Sequence, residues 1–282
     1  MNKGFFFPLE VLGCRLFQAA FKIGDYVVPY RLPEYIDGPG SIQRLPEFLR
    51  EARLRGVTAV AGVELSTVWN DTELHLLGLF LDPAAFDRVT QLTEHYHRLK
   101  RQSVRVMVER LRHDGYEIDY AQLCQATPNG NLNRAHVAAA LFEKNYVNSV
   151  KETFSTLLRT NGPYYTPPER LPIGDALAFL REIRAVPVLA HPLKDLSADA
   201  LRRLLPQLKQ AGLLGMEVQH SSYDRPTADL AAQLAADFDL LPGGGSDYHG
   251  TMKPGVQMGI GTGRVSVPKA YYDALLEAKQ RL

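Results

Sequence analysis

Short apolar segments alternate with amphipathic helical segments along much of this 282-residue chain, and this alternation constrains its fold more than any other sequence feature. Such a pattern is typical of βα units arranged around a parallel sheet or barrel. Asn70 and Asp71 indicate a turn between the first two strands of this pattern. The expected strands are Val57–Leu65, Leu74–Leu81, Val186–Ala190, Gly215–Gln219 and Leu240–Gly243.

Helical periodicity predicts helices between and after these strands. Upstream of them, Pro8–Ile23 could form a first helix and Asp25–Tyr30 a strand, and only the stub Lys3–Phe7 could supply a strand before those. The expected helices of the alternating part are Pro46–Arg55, Gly174–Arg184, Ala198–Ala211, Thr227–Asp237 and Lys269–Arg281.

The alternation breaks after the second strand, where the sequence becomes mostly helical. Ala85–Asp114 is a long amphipathic stretch closed by Gly115, and Arg134–Lys144 and Ser149–Leu158 are two shorter helical stretches. We interpret residues 82–168 as a helical insertion, with 1–81 and 169–282 as the two parts of a barrel domain. A chain with 45% hydrophobic residues can bury a core of that size.

Composition narrows the classes of partner. A formal net charge of +1 gives no strong field for duplex DNA or a membrane surface, so we expect neither as a partner. Cys14 and Cys124 are too few and too distant for a disulfide framework, which favours reduced thiols. No apolar run reaches the roughly 18 residues that span a bilayer, and no signal peptide is evident. We therefore expect a soluble, cytoplasmic protein.

Side chains that bind metal ions lie at or near the ends of the predicted strands. In a parallel βα barrel the carboxyl ends of the strands meet at one mouth, so such residues converge although they are distant in sequence. Imidazole nitrogens and carboxylate oxygens suit zinc, manganese and iron. Each residue alone is often structural, but their conjunction favours a metal site. The candidates are Glu64, His75, His191, Asp247 and His249, of which only His75 lies near the start of its strand.

Other polar residues lie beside the same predicted mouth. Lys194, His220 and Ser221 follow strand ends there and are candidates for substrate binding. The run Gly243–Gly245 has no following lysine or helix start of the kind that a phosphate loop requires, so we expect it to allow close backbone approach under the site.

In order and spacing, four motifs resemble the polymerase and histidinol phosphatase (PHP) family. Gly62–Ser66 resembles the family's third-motif glutamate, and Glu73–Gly78 resembles its histidine strand. Ala190–Pro192 and Gly245–Gly250 resemble its two late motifs. The likeness extends from about residue 41 to residue 264, most of the chain.

The resemblance implies an α/β fold, a distorted (β/α)₇-type barrel with a helical insertion. Arg134–His136 and Tyr164–Pro167 resemble the insertion of the branch that hydrolyses phosphate esters of nucleotides or RNA 5′ ends. It therefore implies a metal-dependent phosphoesterase that uses Mn²⁺, Zn²⁺, Fe²⁺ or Mg²⁺ and acts on a phosphorylated small molecule, a nucleotide or a short RNA. In that reaction Arg134 and His249 would be catalytic, and Arg134 and His136 would also bind substrate, with the Arg134 guanidinium contacting phosphate.

The chain departs from the family pattern at its front. No histidine precedes His75, and Gly38–Gly40 stands where the family has Asp-His-Asp, so the first strand is expected to be missing or degraded. Of the family's three ion positions, the resemblance leaves only the trio of Glu64, His75 and His191 complete. It implies weakened catalysis. A non-catalytic remnant that binds a ligand or partner, and a truncated or frameshifted gene product, remain alternatives.

Overall fold

The structure is a computed structural model, which describes residues 44–127, 132–249, 253 and 255–282. The expected first helix and the strands before Gly38–Gly40 lie outside the described residues, as do those three residues themselves. The chain divides into two units, one formed by Met1–Val89 with Leu171–Leu282 and the other by Thr90–Arg170. The predicted bounds of the helical insertion, 82–168, stay an interpretation of the sequence.

The first unit contains a six-stranded sheet in the order β3-β1-β2-β4-β5-β6. Strand β2 runs antiparallel to both of its neighbours, whereas β1 is parallel to β3, and β4, β5 and β6 are parallel to one another. Within the described residues the sheet is open, with β3 and β6 at its edges. The strands are β1 (Gly62–Trp69), β2 (Thr72–Leu79), β3 (Leu171–Pro172), β4 (Val186–Ala190), β5 (Gly215–His220) and β6 (Leu241–Gly245).

Helices alternate with the strands as the periodicity predicts, which confirms the α/β class. Two 3₁₀ turns, Pro83–Ala85 and Pro192–Lys194, follow β2 and β4. The helices are α1 (Leu45–Leu54), α2 (Phe86–His113), α3 (Tyr120–Gln125), α4 (Arg134–Glu143), α5 (Val150–Ser155), α6 (Ile173–Glu182), α7 (Ala198–Ala211), α8 (Arg225–Asp237) and α9 (Lys269–Gln280).

A tight hairpin joins β1 and β2. Asn70 and Asp71 have φ angles of 45° and 63°, as the two central residues of a type I′ turn require, so the predicted turn is confirmed. A two-residue turn can join only antiparallel strands, and β2 therefore departs from the expected parallel arrangement. The predicted bounds Val57–Leu65 for the first strand are wrong. Val57 is 51% exposed, and pairing with β2 begins at Gly62.

One face of the sheet carries both an apolar cluster and the predicted ligand His75. Leu77 and Val188 are cross-strand partners, and so are His75 and Ala190 two residues further along. Because side chains two apart in a strand point to the same face, His75 lies on the face of this apolar cluster. The cluster consists of Leu77, Leu79, Val186, Val188, Ala190 and Leu275, the last from helix α9.

The glycine run in β6 permits the close backbone approach that the sequence predicts. A β-carbon added at Gly244 would lie 2.6 Å from the carbonyl oxygen of Gln219 in β5, so no larger residue fits there without a shift of the backbone. The pairing of β5 with β6 carries an irregularity between Glu217 and Gln219, next to this contact. Strand β6 ends at Gly245, so Ser246 and Asp247 follow this close contact directly.

The second unit has a helical core of its own. Helix α2 ends at His113, and Gly115 follows with a φ of +91°, which confirms the predicted end of this helix. The buried side chains of this core are Val104, Met107, Val108, Leu111, Ile118, Leu123, Leu132, Val137, Ala138, Leu141 and Leu158. No helix within the described parts of the chain is both long and apolar enough to cross a membrane.

Candidate metal centre

The antiparallel course of β2 explains why a residue near its start belongs to the site. Because His75 is paired with Ala190, the amino end of β2 lies next to the carboxyl end of β4. His191 follows Ala190 directly, so the two imidazoles meet, with His75 Nδ1 3.3 Å from His191 Nε2. The sequence alone predicted His75 as a ligand, and the strand direction supplies the reason.

Glu64, His75 and His191 form a first group of candidate ligands. Glu64 Oε1 lies 2.7 Å from His75 Nδ1 and 3.5 Å from His191 Nε2. The Glu64 and His191 side chains are only 6% and 3% exposed, whereas that of His75 is 20% exposed. Ligand atoms around an ion with bonds of about 2.1 Å are separated by about 3.4 Å in tetrahedral geometry. Two of the three separations are therefore close to those that a bound ion requires.

Glu73 contacts this group without belonging to the three candidate ligands. It lies with its Oε1 3.3 Å from His75 Nε2, the ring nitrogen opposite the one that faces Glu64. A histidine that binds an ion through one nitrogen commonly donates the other N–H to a carboxylate, which fixes its tautomer. Glu73 is placed for that role, so the residues present fit a divalent cation. Glu73 was not among the candidates predicted from the sequence, although it stands two residues before His75.

His191 has an unusual backbone that two neighbouring side chains stabilise. Its φ and ψ are 32° and 46°, in the left-handed region, which is costly for a non-glycine residue. The buried carboxylate of Glu217 accepts a hydrogen bond from the His191 backbone N–H at 2.9 Å. The Tyr223 hydroxyl accepts another from the N–H of Leu193, also at 2.9 Å. These bonds hold the turn that aims the His191 ring at Glu64.

Glu217 is a site residue that sequence reasoning missed. Its side chain is buried, with the whole residue only 3% exposed. It stands in the otherwise apolar stretch Gly215–Val218, and a lone acidic residue in a buried strand is a signal that could have identified it. A buried carboxylate is retained in a sheet only where polar groups satisfy it.

A second group lies beside the first and consists of His191, His220 and Asp247, whose possible ligand atoms all lie within 4.8 Å of one another. His220 Nε2 is 3.4 Å from Asp247 Oδ2. Burial lowers the pKa of His220, while the neighbouring Asp247 acts to raise it. Asp247 has a φ of 49°, a second left-handed residue among the predicted ligands. Sequence reasoning placed His220 beside the mouth as a substrate-binding residue and not as a ligand.

His249 and Lys253 both contact Asp247. The Nδ1–H of His249 donates to the Asp247 backbone carbonyl at 2.6 Å, and the same nitrogen lies 3.4 Å from Asp247 Oδ1. The ammonium group of Lys253 is 2.7 Å from Asp247 Oδ2. His249 therefore lies next to a predicted ligand, and its proposed part in proton transfer stays a prediction.

Two candidates for substrate binding in the first unit differ in their exposure and hydrogen bonding. Lys194 ends the 3₁₀ turn after His191 and is exposed. The Ser221 hydroxyl donates to the backbone carbonyl of Ser246, and the Ser221 carbonyl accepts from Thr262 at 3.2 Å. Ser221 therefore joins the end of β5 to the segment after β6, and its predicted contact with substrate is a proposal.

Arg134 and His136 lie in the second unit, at the start of α4. His136 Nδ1 accepts from the Asn133 backbone N–H at 3.2 Å, as part of a capping box. The Arg134 guanidinium lies over the rings of Phe154 and Tyr165, at 4.8 and 4.4 Å from their centroids. It also donates to the Leu158 carbonyl at 3.1 Å. These contacts stabilise the helical unit itself, and the substrate-binding roles of both residues stay predictions.

Replacing Arg134 by methionine is expected to lower the free energy of unfolding by about 1–3 kcal/mol, because two cation–π contacts and the hydrogen bonds to Leu158 and Thr160 are lost. Thermal and denaturant unfolding measure the effect. Arg105→Met is the matched control, since the Arg105 side chain is 68% exposed and forms an ion pair with Glu109 of the same helix. Unchanged stability together with a raised KM for a phosphorylated substrate would instead make phosphate binding the main role of Arg134.

The sequence of this chain is similar to those of known enzymes. The chain is 30% identical over 194 residues to the 5′-3′ exoribonuclease Rnm of Salmonella typhimurium, a match that covers 67% of this chain and 65% of that enzyme. It is 25% identical over 225 residues to the 3′,5′-nucleoside bisphosphate phosphatase of Chromobacterium violaceum, covering 76% of each protein. The chain thus spans slightly less than two thirds of the exoribonuclease. No protein-family model matches it.

The fold of this chain also resembles that of a solved structure. An amidohydrolase from Chromobacterium violaceum, determined with bound sulfate and no metal, superposes with a TM-score of 0.63 and 23% identity. The superposition covers 86% of this chain and 84% of that one. This likeness confirms the α/β fold expected from the sequence.

Proposed function

Because the chain belongs to the PHP family of metal-dependent phosphoesterases, we propose that it hydrolyses phosphate esters of nucleotides or of RNA 5′ ends. The observation that carries this proposal is the group of Glu64, His75 and His191, whose possible ligand atoms all lie within 4.8 Å of one another. The relatives named above act on RNA from its 5′ end and on a nucleoside bisphosphate. Both substrates present a phosphate ester on a nucleotide.

A divalent ion in this group, of which Mn²⁺, Zn²⁺, Fe²⁺ and Mg²⁺ are the candidates, would activate water and polarise a phosphoryl oxygen. Glu64 and His191 would bind it from buried positions, and His75 would bind it from the edge that is open to solvent. The carboxylate of Glu73 would keep the His75 ring in the tautomer that presents Nδ1. The protein thus orients the ligands before substrate arrives, which is how a site lowers the cost of reorganisation.

Proton transfer to the leaving group is assigned to His249. Its Nδ1–H donates to the Asp247 carbonyl, so Nε2 is the nitrogen that would give or take a proton on the substrate side. Lys194 is the exposed cation beside His191 and would attract the phosphate. The family resemblance implies a substrate-binding role for Arg134 and His136 of the second unit as well.

Hydrolysis by the full chain in Mn²⁺ tests the proposal. The probes are a 5′-phosphorylated pentaribonucleotide, adenosine 3′,5′-bisphosphate and p-nitrophenyl phosphate as a generic ester. We expect release of mononucleotide or phosphate from at least one nucleotide probe, at least about tenfold faster than from the generic ester, and loss of that release in EDTA. Turnover should be slow, because the resemblance leaves two of the three family ion positions incomplete. No release above the background of the Glu64→Gln variant would favour the non-catalytic binding protein.

A further inference from the structure

We propose that an exposed row of arginines on helix α2 binds the phosphate backbone of single-stranded RNA. This inference deepens the proposed function, on which the choice of RNA as the polyanion rests. Residues 90–170, the second unit, contain eleven lysine and arginine residues against eight aspartate and glutamate residues, whereas the rest of the chain contains 21 against 23. Fifteen residues of α2, from Arg98 to Arg112, hold six of these cations and a single acidic residue. Such a local excess attracts a polyanion although the formal net charge of the chain is only +1.

Four of the six cations share one face of the helix. Their spacings of three, four and seven residues align them along it, because side chains three or four residues apart are neighbours on a helix. At a rise of about 1.5 Å per residue, this row is about 21 Å long. The row forms an arginine stripe of exposed residues, which consists of Arg98, Arg101, Arg105 and Arg112.

Helix stability explains only part of the arginine stripe. Arg112 lies in the last turn of α2, where a cation interacts favourably with the helix dipole. Arg98, Arg101 and Arg105 lie two turns or more before the end of the helix, beyond the reach of that effect. Like charges three or four residues apart repel one another on a helix, and Glu109 offsets one of them, with its Oε1 2.9 Å from Arg105 Nε. Phosphates bound along the stripe would offset the remaining repulsion.

Titratable groups near the arginine stripe respond to its positive potential. Burial lowers the pKa of His97, and the charges of Lys100 and Arg101 lower it further. Burial raises the pKa of the Tyr120 hydroxyl, whereas Arg101 and Arg105 act to lower it. Positive potential from the stripe thus reaches side chains of two helices, α2 and α3. A partly buried tyrosine beside arginines is also the type of ring on which a base of single-stranded RNA stacks.

The surroundings of the arginine stripe favour RNA over a lipid surface. A helix that lies on a membrane buries its apolar face among the lipids, but the apolar residues of α2, among them Met107 and Leu111, are buried in the core of the second unit. All members of the stripe are arginines, whose planar guanidinium can bind one phosphate through two parallel hydrogen bonds. A length of about 21 Å corresponds to about six nucleotides of a stacked strand, at roughly 3.4 Å each. A row of backbone phosphates therefore matches the stripe in charge and in length.

Fluorescence anisotropy of the full chain with dodecauridylate RNA, labelled with fluorescein at its 3′ end, tests the inference. EDTA is present, so that binding is measured without metal-dependent hydrolysis. Between about 50 and 200 mM KCl, a plot of the logarithm of the association constant against the logarithm of the salt concentration should have a slope of about −3, since each phosphate contact of a single strand contributes about −0.7. Arg98→Gln combined with Arg101→Gln should weaken binding at least about tenfold at about 50 mM KCl and bring the slope to about −1.4.

Arg202→Gln combined with Arg203→Gln is the matched control, because it removes the same charge from exposed positions of α7 in the first unit. The inference is overturned by equal weakening in the two double variants, by an unchanged slope in the Arg98 and Arg101 variant, or by binding of phosphatidylserine vesicles and not RNA. Arg112→Gln, which should reduce the slope by about 0.7, decides the question if the double variant does not fold. RNA binding through the stripe without phosphate release would reject only the proposed function. Phosphate release with RNA binding that the stripe variants leave unchanged would reject only the arginine stripe.

Discussion

Replacing Glu64 by glutamine is expected to remove the tightly bound metal ion and to lower hydrolysis of a nucleotide phosphate ester at least about a thousandfold. The carboxylate is the only anionic member of the group of Glu64, His75 and His191, and its Oε1 lies within 3.5 Å of both imidazoles. Loss of an ion removes several kcal/mol of transition-state stabilisation, and each ~1.4 kcal/mol corresponds to a factor of ten in rate.

Elemental analysis and phosphate release measure the two effects together. The unchanged chain should retain about one ion after dialysis, because one ligand trio is complete, and Glu64→Gln should retain none. Glu182→Gln is the matched control, since that side chain is 65% exposed and pairs with Arg88. Three retained ions in the unchanged chain would contradict the incomplete set of ligands inferred from the sequence. Equal activity of both glutamine variants would contradict the position of the site.

Replacing Glu217 by leucine is expected to weaken the tight metal site by about 10–100-fold, as loss of outer-shell partners does in other metal sites. The buried Glu217 carboxylate accepts the backbone N–H of His191, whose left-handed conformation directs the ring toward Glu64. Leucine leaves that N–H without its acceptor, at a cost of about 1–3 kcal/mol in the free energy of unfolding.

Glu217→Gln separates the positioning role from simple packing. The glutamine side-chain carbonyl can still accept the His191 N–H, so this variant should recover most of the metal affinity. Calorimetry with Mn²⁺ and denaturant unfolding follow the two effects separately. If the glutamine variant binds metal as weakly as the leucine variant, the hydrogen bond to His191 is not what positions the ring. The negative charge of Glu217 would then be the important property.

Much of the site could be predicted because its residues carry local signals. Glu64, His191 and Asp247 each follow or interrupt an apolar run, and such a position is visible without knowledge of the fold. The turn at Asn70 and Asp71 was predictable for the same reason, since both residue types tolerate positive φ. The strand bounds were less accurate because pairing across the hairpin, and not local hydrophobicity, decides where β1 begins and ends.

The sequence by itself determined the α/β alternation, the hairpin turn and the chemical types of the candidate ligands, because these depend on residues close together in the chain. Only the tertiary structure decided which of them meet. His75 joins His191 because β2 is antiparallel to β4 and pairs it with Ala190. His220 approaches Asp247 across the β5–β6 pair, and Glu217 supports a backbone 26 residues before it. Strand direction and register fix such contacts, and both are set by long-range hydrogen bonds that no local pattern encodes.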